Sequence, residues 1–278
     1  MTVPRDVLWI GGSSGTGKST VARLLARRHG LRWYSCDTRT WQHRDRAIAA
    51  GVPAAIEWEQ LMPQQRSQQS TDDALRLTLD RSRMVLDDIA ALPAKPAVVA
   101  EGTNITPGMV PDDGFAVWLM AQPTTRADRN QQRGWGAAGG QVDLIQARQL
   151  RSELPQAAAS VIDTDDSSVE DTITQIERIA ASWLGSRPVA KGRTERQILI
   201  RQGNAAIVAQ YRDGLARSGN MQEGDGPVRS YDCECGELSC SMMIELPLSL
   251  LPTPFTASSA PILAPGHHMA SGTNAAQF

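Results

Sequence analysis

Eight residues, Gly12 to Ser19, read GSSGTGKS and match the pattern G-x-x-x-x-G-K-[ST] in full. Residue types in this spacing suit one kind of chemistry, the handling of phosphate groups. Glycines let the backbone curl with its N–H groups pointing inward, and the N-terminus of a following helix adds partial positive charge. Here Gly12, Ser13, Ser14, Gly15, Thr16, Gly17 and Thr20 would line the phosphates of a nucleotide. Lys18 would reach the β- and γ-phosphates and Ser19 would ligate Mg²⁺. The expected cofactors are ATP or GTP and Mg²⁺. The choice between the two bases would be made around Asp163 to Ser168, where no N-K-x-D motif announces guanine.

Phosphoryl transfer asks a protein mainly to position reactants and neutralise charge, so the remaining search is for a base, a metal path and mobile cations. Asp37 ends an apolar run and would accept the proton of a substrate hydroxyl; the competing role is a helix N-cap. Glu101 closes the run Val98-Val99-Ala100 and would hold Mg²⁺ through water or touch substrate, or else bond loop backbone. Thr103 and Asn104 beside it are weaker polar candidates. Arg126, Arg129 and Arg133 are three or four residues apart and share a helix face. They fit a lid that neutralises transition-state charge, Arg126 on the nucleotide and Arg129 and Arg133 on the reacting group. A solvated face is the other reading. Arg39, His43, Arg44 and Arg46 crowd behind Asp37 as substrate contacts or as a solvated helix face, with His43 a secondary option for the base. Asp87 and Asp88 read as an exposed helix end without a role.

Cys233, Cys235 and Cys240 form a second constellation. Three thiolates this close suit a structural Zn²⁺, which takes four ligands. The fourth is missing from the usual short spacing; His267, His268, Glu234 and Asp232 are in reach, and reduced cysteines packed in a small β-unit are the alternative.

The elements that must position these residues follow from the pattern. Val7–Ile10, Leu31–Cys36, Ala97–Ala100, Phe115–Met120 and Ser160–Thr164 are short apolar runs that read as strands. Thr20 to His29 and Ser168 to Leu184 are amphipathic helices, and 40–92 is a polar helical stretch broken at Gly51-Val52-Pro53 and near Pro63. Its last part starts at a Ser70-x-x-Asp73 cap and repeats Leu75, Leu79, Leu86, Ile89 and Leu92. Alternation of strands and helices predicts an α/β fold: a parallel five-stranded sheet with helices on both faces. Ligands of such sheets lie at the C-terminal strand ends, where Gly12, Asp37, Glu101 and Gln122 all fall. The expected domains are 1–186 with a helical substrate-binding insertion at 40–92, and, after a linker at 185–192, a small α+β cysteine module at 193–251. A proline-rich tail at 252–278 is expected to be disordered.

Bulk properties narrow the partners. The chain has 278 residues, 41% hydrophobic and 21% charged, with a formal net charge of −2. That excludes a broad basic surface and argues against nucleic acid. No apolar run reaches the roughly 20 residues of a membrane span, and the N-terminus has no signal-peptide pattern. Few cysteines fit a reduced, cytoplasmic setting. A small-molecule substrate is the expected partner, and a homo-oligomer stays open.

With GGSSGTGKS at 11–19, Asp37, the strand of VVAEG ending at Glu101 and the arginines of TTRADRNQQR in view, the first ~185 residues resemble small-molecule kinases of the P-loop fold. The shikimate and gluconate kinase type and chloramphenicol phosphotransferase are the nearest in kind. In the last of these the strand-two aspartate activates the substrate hydroxyl, which implies that role for Asp37. The segment YDCECGELSCSMMIELPLSLL resembles a cysteine-containing segment at the C-terminus of many actinobacterial proteins, implying an actinobacterial source. Together these imply a kinase acting on an alcohol group, with an antibiotic (in self-resistance) or another secondary metabolite as acceptor. A sugar or primary metabolite is the second substrate class. A nucleotide-dependent regulator acting through the cysteine module is the rival from another class.

Overall fold

The apolar runs become the strands β1 (Val7–Gly11), β2 (Arg32–Ser35), β3 (Val98–Glu101), β4 (Phe115–Met120) and β5 (Ser160–Asp163). The structure, a computed structural model, describes residues 6–132, 140–156, 160–218 and 227–270. All five strands are parallel, in the order β2-β3-β1-β4-β5. Parallel strands need crossovers, and helices supply them: α1 (Lys18–His29), the insertion helices α2 (Thr40–Ala49), α3 (Pro53–Gln60), α4 (Pro63–Ser67), α5 (Thr71–Arg76) and α6 (Ser82–Ala91), then α7 (Pro123–Gln132), α8 (Gly140–Glu153), α9 (Val169–Ile179) and α10 (Ala181–Ser186).

Period-two alternation along β1 feeds two cores. Leu8 and Ile10 pack with Val21 and Leu25 of α1 and Ile173 and Ile176 of α9. Val7 and Trp9 pack on the opposite face with Val85 and Ile89 of α6. The expected parallel sheet covered on both faces is what the chain builds. Register then aligns the chemistry: Ile10 and Ser35 both pair with Glu101, so β1, β2 and β3 end at one level.

The stretch 71–92, expected as one helix, is two. The Ser70 cap forms, with Asp73 N–H donating to Ser70 Oγ at 3.1 Å, but α5 stops at Arg76. The apolar repeat skips from Leu79 to Leu86, and in that gap Arg81 turns inward and is buried. Expected Ser168–Leu184 likewise divides into α9 and α10.

A long helix, α11 (Arg193–Ser218), and an antiparallel pair, β6 (Val228–Asp232) and β7 (Met243–Pro247), form the C-terminal module. α11 packs against the sheet's edge strand β2 and against α2. Gly203 and Gly214 allow the approach: a Cβ on either would meet Trp33 or Trp41 at 3.0 Å. β6 is fastened to α1 by Asp232, which accepts from Arg23 Nε at 3.0 Å and Arg27 Nη1 at 3.1 Å, all three side chains buried. Removing one partner of such a pair strands a buried charge. Asp232→Ala is therefore expected to cost about 3–5 kcal/mol of stability, read by urea denaturation followed through tryptophan fluorescence.

Two expectations are corrected. The linker is pinned: Ala97 N–H donates to Pro188 O and Ala190 N–H to Gly30 O, each at 2.8 Å. The tail expected to be disordered from Pro252 is ordered to Ala270, because Glu234 N–H donates to Ile262 O at 2.8 Å and Ile262 N–H returns to Glu234 Oε2 at 3.3 Å. Ile262 and Leu251 are buried against Val208 and Tyr231. Residues 271–278 lie outside the described residues. Among the described residues, no helix is long and apolar enough to cross a membrane.

Candidate active site

β1 ends in a loop whose Gly12, Gly15 and Gly17 all have positive φ, at 137°, 80° and 89°. A side chain at Gly12 would also collide with Leu119 O, 2.2 Å from where its Cβ would sit. Gly17 precedes α1 and offers no side-chain cap, which leaves the first-turn N–H groups of Lys18, Ser19 and Thr20 open to an anion. Thr16 Oγ1 donates to Ser13 O at 2.9 Å and holds the curl. Lys18 is buried in it and donates from Nζ to Ser13 O at 2.7 Å. Burial pulls its ammonium below the ordinary lysine value, while the charges of Asp37 and Glu101 oppose that shift.

Glu101 is wholly buried and accepts from Ser19 Oγ at 3.0 Å through Oε2; its Oε1 has no hydrogen-bond partner. A hydroxyl and a carboxylate facing each other, with one oxygen unsatisfied, form a donor set that fits Mg²⁺. Burial first, then the neighbouring Asp37 charge, push the Glu101 carboxyl up to about 7, with Lys18 pulling the other way. The unfolded chain ionises this group near 4.5, so between there and 7 the folded form holds the extra proton and stability falls as pH rises. Glu101→Gln is thus expected to raise the stability of the nucleotide-free protein at pH 8 by on the order of 3 kcal/mol. Near pH 4.5 the gain should vanish. Thermal melts at both pH values check this, and an equal effect at both would refute it.

Asp37 does not cap α2. It opens a 3₁₀ turn, Asp37–Arg39, and its carboxylate crosses to the end of β3. Thr103 Oγ1 donates to Asp37 Oδ1 at 3.0 Å and Thr103 N–H to Oδ2 at 3.4 Å. Gly102 makes the crossing possible, since its φ is 148° and a Cβ there would sit 1.9 Å from Cys36 Sγ. Arg81, which the sequence reading passed over, reaches within 3.5 Å of Asp37 Oδ1. It donates to Cys36 O and Thr40 Oγ1, each at 2.9 Å, and to Asn104 Oδ1. The gap in the apolar repeat between Leu79 and Leu86 was the only signal of it.

The residues behind Asp37 sort differently from expectation. His43 is fully buried, with Nε2 2.8 Å from Asp88 Oδ2, in a cluster where Asp88 also accepts from Tyr34 at 3.0 Å and Arg46 at 2.5 Å. The expected base or substrate contact is thus a buried ring engaged with Asp88, and Asp88 is a network centre rather than an idle helix end. Arg44 is buried over the Trp58 ring, 3.7 Å from its centroid, with Arg66 at 4.0 Å from the same centroid. Burial lowers its pKa to about 10. Arg39 stays on the Asp37 turn, donating to Gln42 at 2.8 Å.

The arginine row is also committed to protein partners. Arg126 is buried and ion-paired with Asp143 of α8. Arg129 donates from Nη2 to Thr164 O at 2.6 Å and from Nη1 to Gly15 O at 3.4 Å, bracing the loop. Arg133 lies outside the described residues. Arg148 and Arg151 of α8, unnoticed in the sequence, line a cavity of about 620 Å³ beside Ser13 and Thr16.

At the far end of the chain Cys233, Cys235 and Cys240 gather with His267, one ligand atom from each lying within 4.8 Å of every other. Glu234 and Asp232 are turned away: Glu234 accepts from Arg201 at 2.7 Å and Asn204 at 2.8 Å, and Asp232 holds the α1 arginines. His268 is not part of the cluster.

A cytidylate kinase of Streptomyces avermitilis is 26% identical over 212 residues, covering 62% of this chain and 91% of that protein. A cytidylate kinase of Nocardia farcinica is 25% identical over 223 residues, covering 65% and 95%. A bifunctional pantoate ligase/cytidylate kinase of Thermosynechococcus vestitus is 26% identical over 221 residues, and the chain spans 43% of its length. The solved shikimate kinase from Acinetobacter baumannii in complex with shikimate aligns over 64% of this chain and 93% of its own, at 16% identity and a TM-score of 0.40. The family model described as AAA domain matches residues 8–153, which run from β1 through the phosphate loop, Asp37 and Glu101 to the end of α8. With more than half of its length in that match, the chain belongs to the AAA-domain family.

Proposed function

We propose that the protein moves the γ-phosphoryl group of ATP or GTP to a hydroxyl of a small molecule. The supporting observation is a single open cleft of about 1160 Å³. It is bounded by Gly12 and Ser13 of the phosphate loop on one side and by Thr103, which holds Asp37, on the other. Lys18 and the loop amides would hold the phosphates. Ser19 and Glu101 would hold Mg²⁺, which supplies charge neutralisation at the phosphates. The acceptor oxygen bonds to the γ-phosphorus as the bond from phosphorus to the β,γ-bridging oxygen breaks; the hydroxyl proton passes to Asp37 and the nucleoside diphosphate leaves.

The lining of the cleft speaks to the acceptor. Among the described residues its lining has no Lys or Arg; it carries Asp80 and Glu153, with Asp143 already paired to Arg126, beside Leu75, Leu79, Ile105, Ile145 and Leu150. An anionic acceptor such as a nucleoside monophosphate would be repelled there, whereas an uncharged or cationic alcohol with an apolar body would fit. An antibiotic or other secondary metabolite answers that description better than cytidylate does. Mass spectrometry of an alcohol and aminoalcohol panel, incubated with Mg²⁺ and ATP or GTP separately, tests the reading. The expected product gains one phosphoryl group and is absent with Lys18→Ala. Efficient phosphorylation of cytidine monophosphate, with no alcohol product, would replace this acceptor class with a phosphate.

A further inference from the structure

The cysteine cluster brings four possible metal-ligand atoms within 4.8 Å of one another. Cys233 and Cys235 follow β6, Cys240 precedes β7, and His267 comes from the ordered strap 252–270. His267 Nδ1 lies 3.4 Å from Cys233 Sγ and 3.5 Å from Cys240 Sγ. Sulfur and nitrogen ligands bound at about 2.3 and 2.0 Å to a tetrahedral ion are separated by about 3.5–3.8 Å, so His267 already stands at ligand distance from both Cys233 and Cys240. All three cysteines are buried and none is in a disulfide.

The surroundings suit thiolates. Arg27 Nη2 donates to Cys240 Sγ at 3.0 Å and Ala264 N–H donates to Cys233 Sγ at 3.3 Å. Three thiolates, a neutral imidazole and Zn²⁺ leave one negative charge, which the buried Arg27 guanidinium faces. Among the described residues, Ala264 is the one other fully buried apolar residue beside the cysteines, so apolar packing at this end of the strap is thin, its hydrocarbon anchor being Ile262 in the neighbouring core.

We infer that Cys233, Cys235, Cys240 and His267 bind one Zn²⁺. The ion fastens the strap to β6 and, through Arg27, the module to the helix that starts at the phosphate loop. The inference does not depend on the phosphotransferase reading. It is tested on the full chain, purified under reducing conditions with zinc present and dialysed against metal-free buffer, by elemental analysis. About one zinc per chain is expected, falling below about 0.1 in Cys235→Ser. Arg27→Gln should keep the stoichiometry but weaken affinity about 10–100-fold in competition with a chelator. In case Cys235→Ser fails to fold, the wild-type chain stripped of metal is titrated with Co²⁺. Thiolate-to-cobalt charge-transfer bands and tetrahedral d–d bands that Zn²⁺ abolishes are the expected result. Reduced wild-type protein that carries no zinc and gives no such bands overturns the inference, as does zinc content unchanged by Cys235→Ser in a folded variant.

Discussion

Asp37→Asn is expected to lower the turnover of phosphoryl transfer by about 10²–10⁴-fold while nucleotide affinity stays near that of the wild type. The amide keeps the shape of the carboxylate and can still accept from Thr103 Oγ1, so the turn at the end of β2 should hold. What disappears is the proton acceptor and the negative charge 3.5 Å from Arg81. The same charge helps to push Glu101 up, so the variant carries a second signature: the decline of nucleotide-free stability between about pH 4.5 and 7 should become shallower. Steady-state rates with the identified acceptor, nucleotide titration calorimetry and melts across pH read the three effects. Turnover that stays above about a tenth of wild type would remove Asp37 from the role of base and leave it a positioning residue.

The second large effect belongs to Lys18→Ala, which should reduce turnover by at least about 10²–10³-fold through loss of the cation at the transferred phosphate. Ordinarily a buried truncation raises the suspicion of unfolding. Here the ammonium is held in the loop against the cost of its own burial, with one hydrogen bond to Ser13 O. Removing it relieves that desolvation, so the melting temperature without nucleotide is expected to remain close to wild type. Loss of both activity and fold would mean that the lysine is holding the loop together rather than serving the phosphates.

The parts of this architecture that were readable in advance are those written in local pattern. The phosphate loop is eight consecutive residues, and β4 was placed at Phe115–Met120 because a continuous apolar run leaves no other reading. Asp37 and Glu101 follow from the rule that strand ends carry ligands, and register pairs Glu101 with Ser35, two residues before Asp37. What was unreadable depends on distant partners. His43 and Arg44 looked like substrate contacts until Asp88 and Trp58 were seen to occupy them. Arg81 was hidden inside an apparent helix, since its partners Cys36 and Asn104 lie in other segments. The strap failed most clearly: its composition is that of a solvated coil, and the order comes from Glu234 and the cysteines some thirty positions upstream.

The packing of α11 on β2 has a consequence for biosynthesis. β2 is an edge of the sheet, with β3 on one side and the C-terminal helix as its other neighbour. On the ribosome, residues 32–35 emerge well before 193–218, so the nascent sheet waits with an open flank until α11 has been made. A transcript truncated at the pinned linker would therefore yield not a free-standing nucleotide-loop domain but a chain with a bare edge strand and Trp33 and Trp41 uncovered, a client for chaperones and proteases.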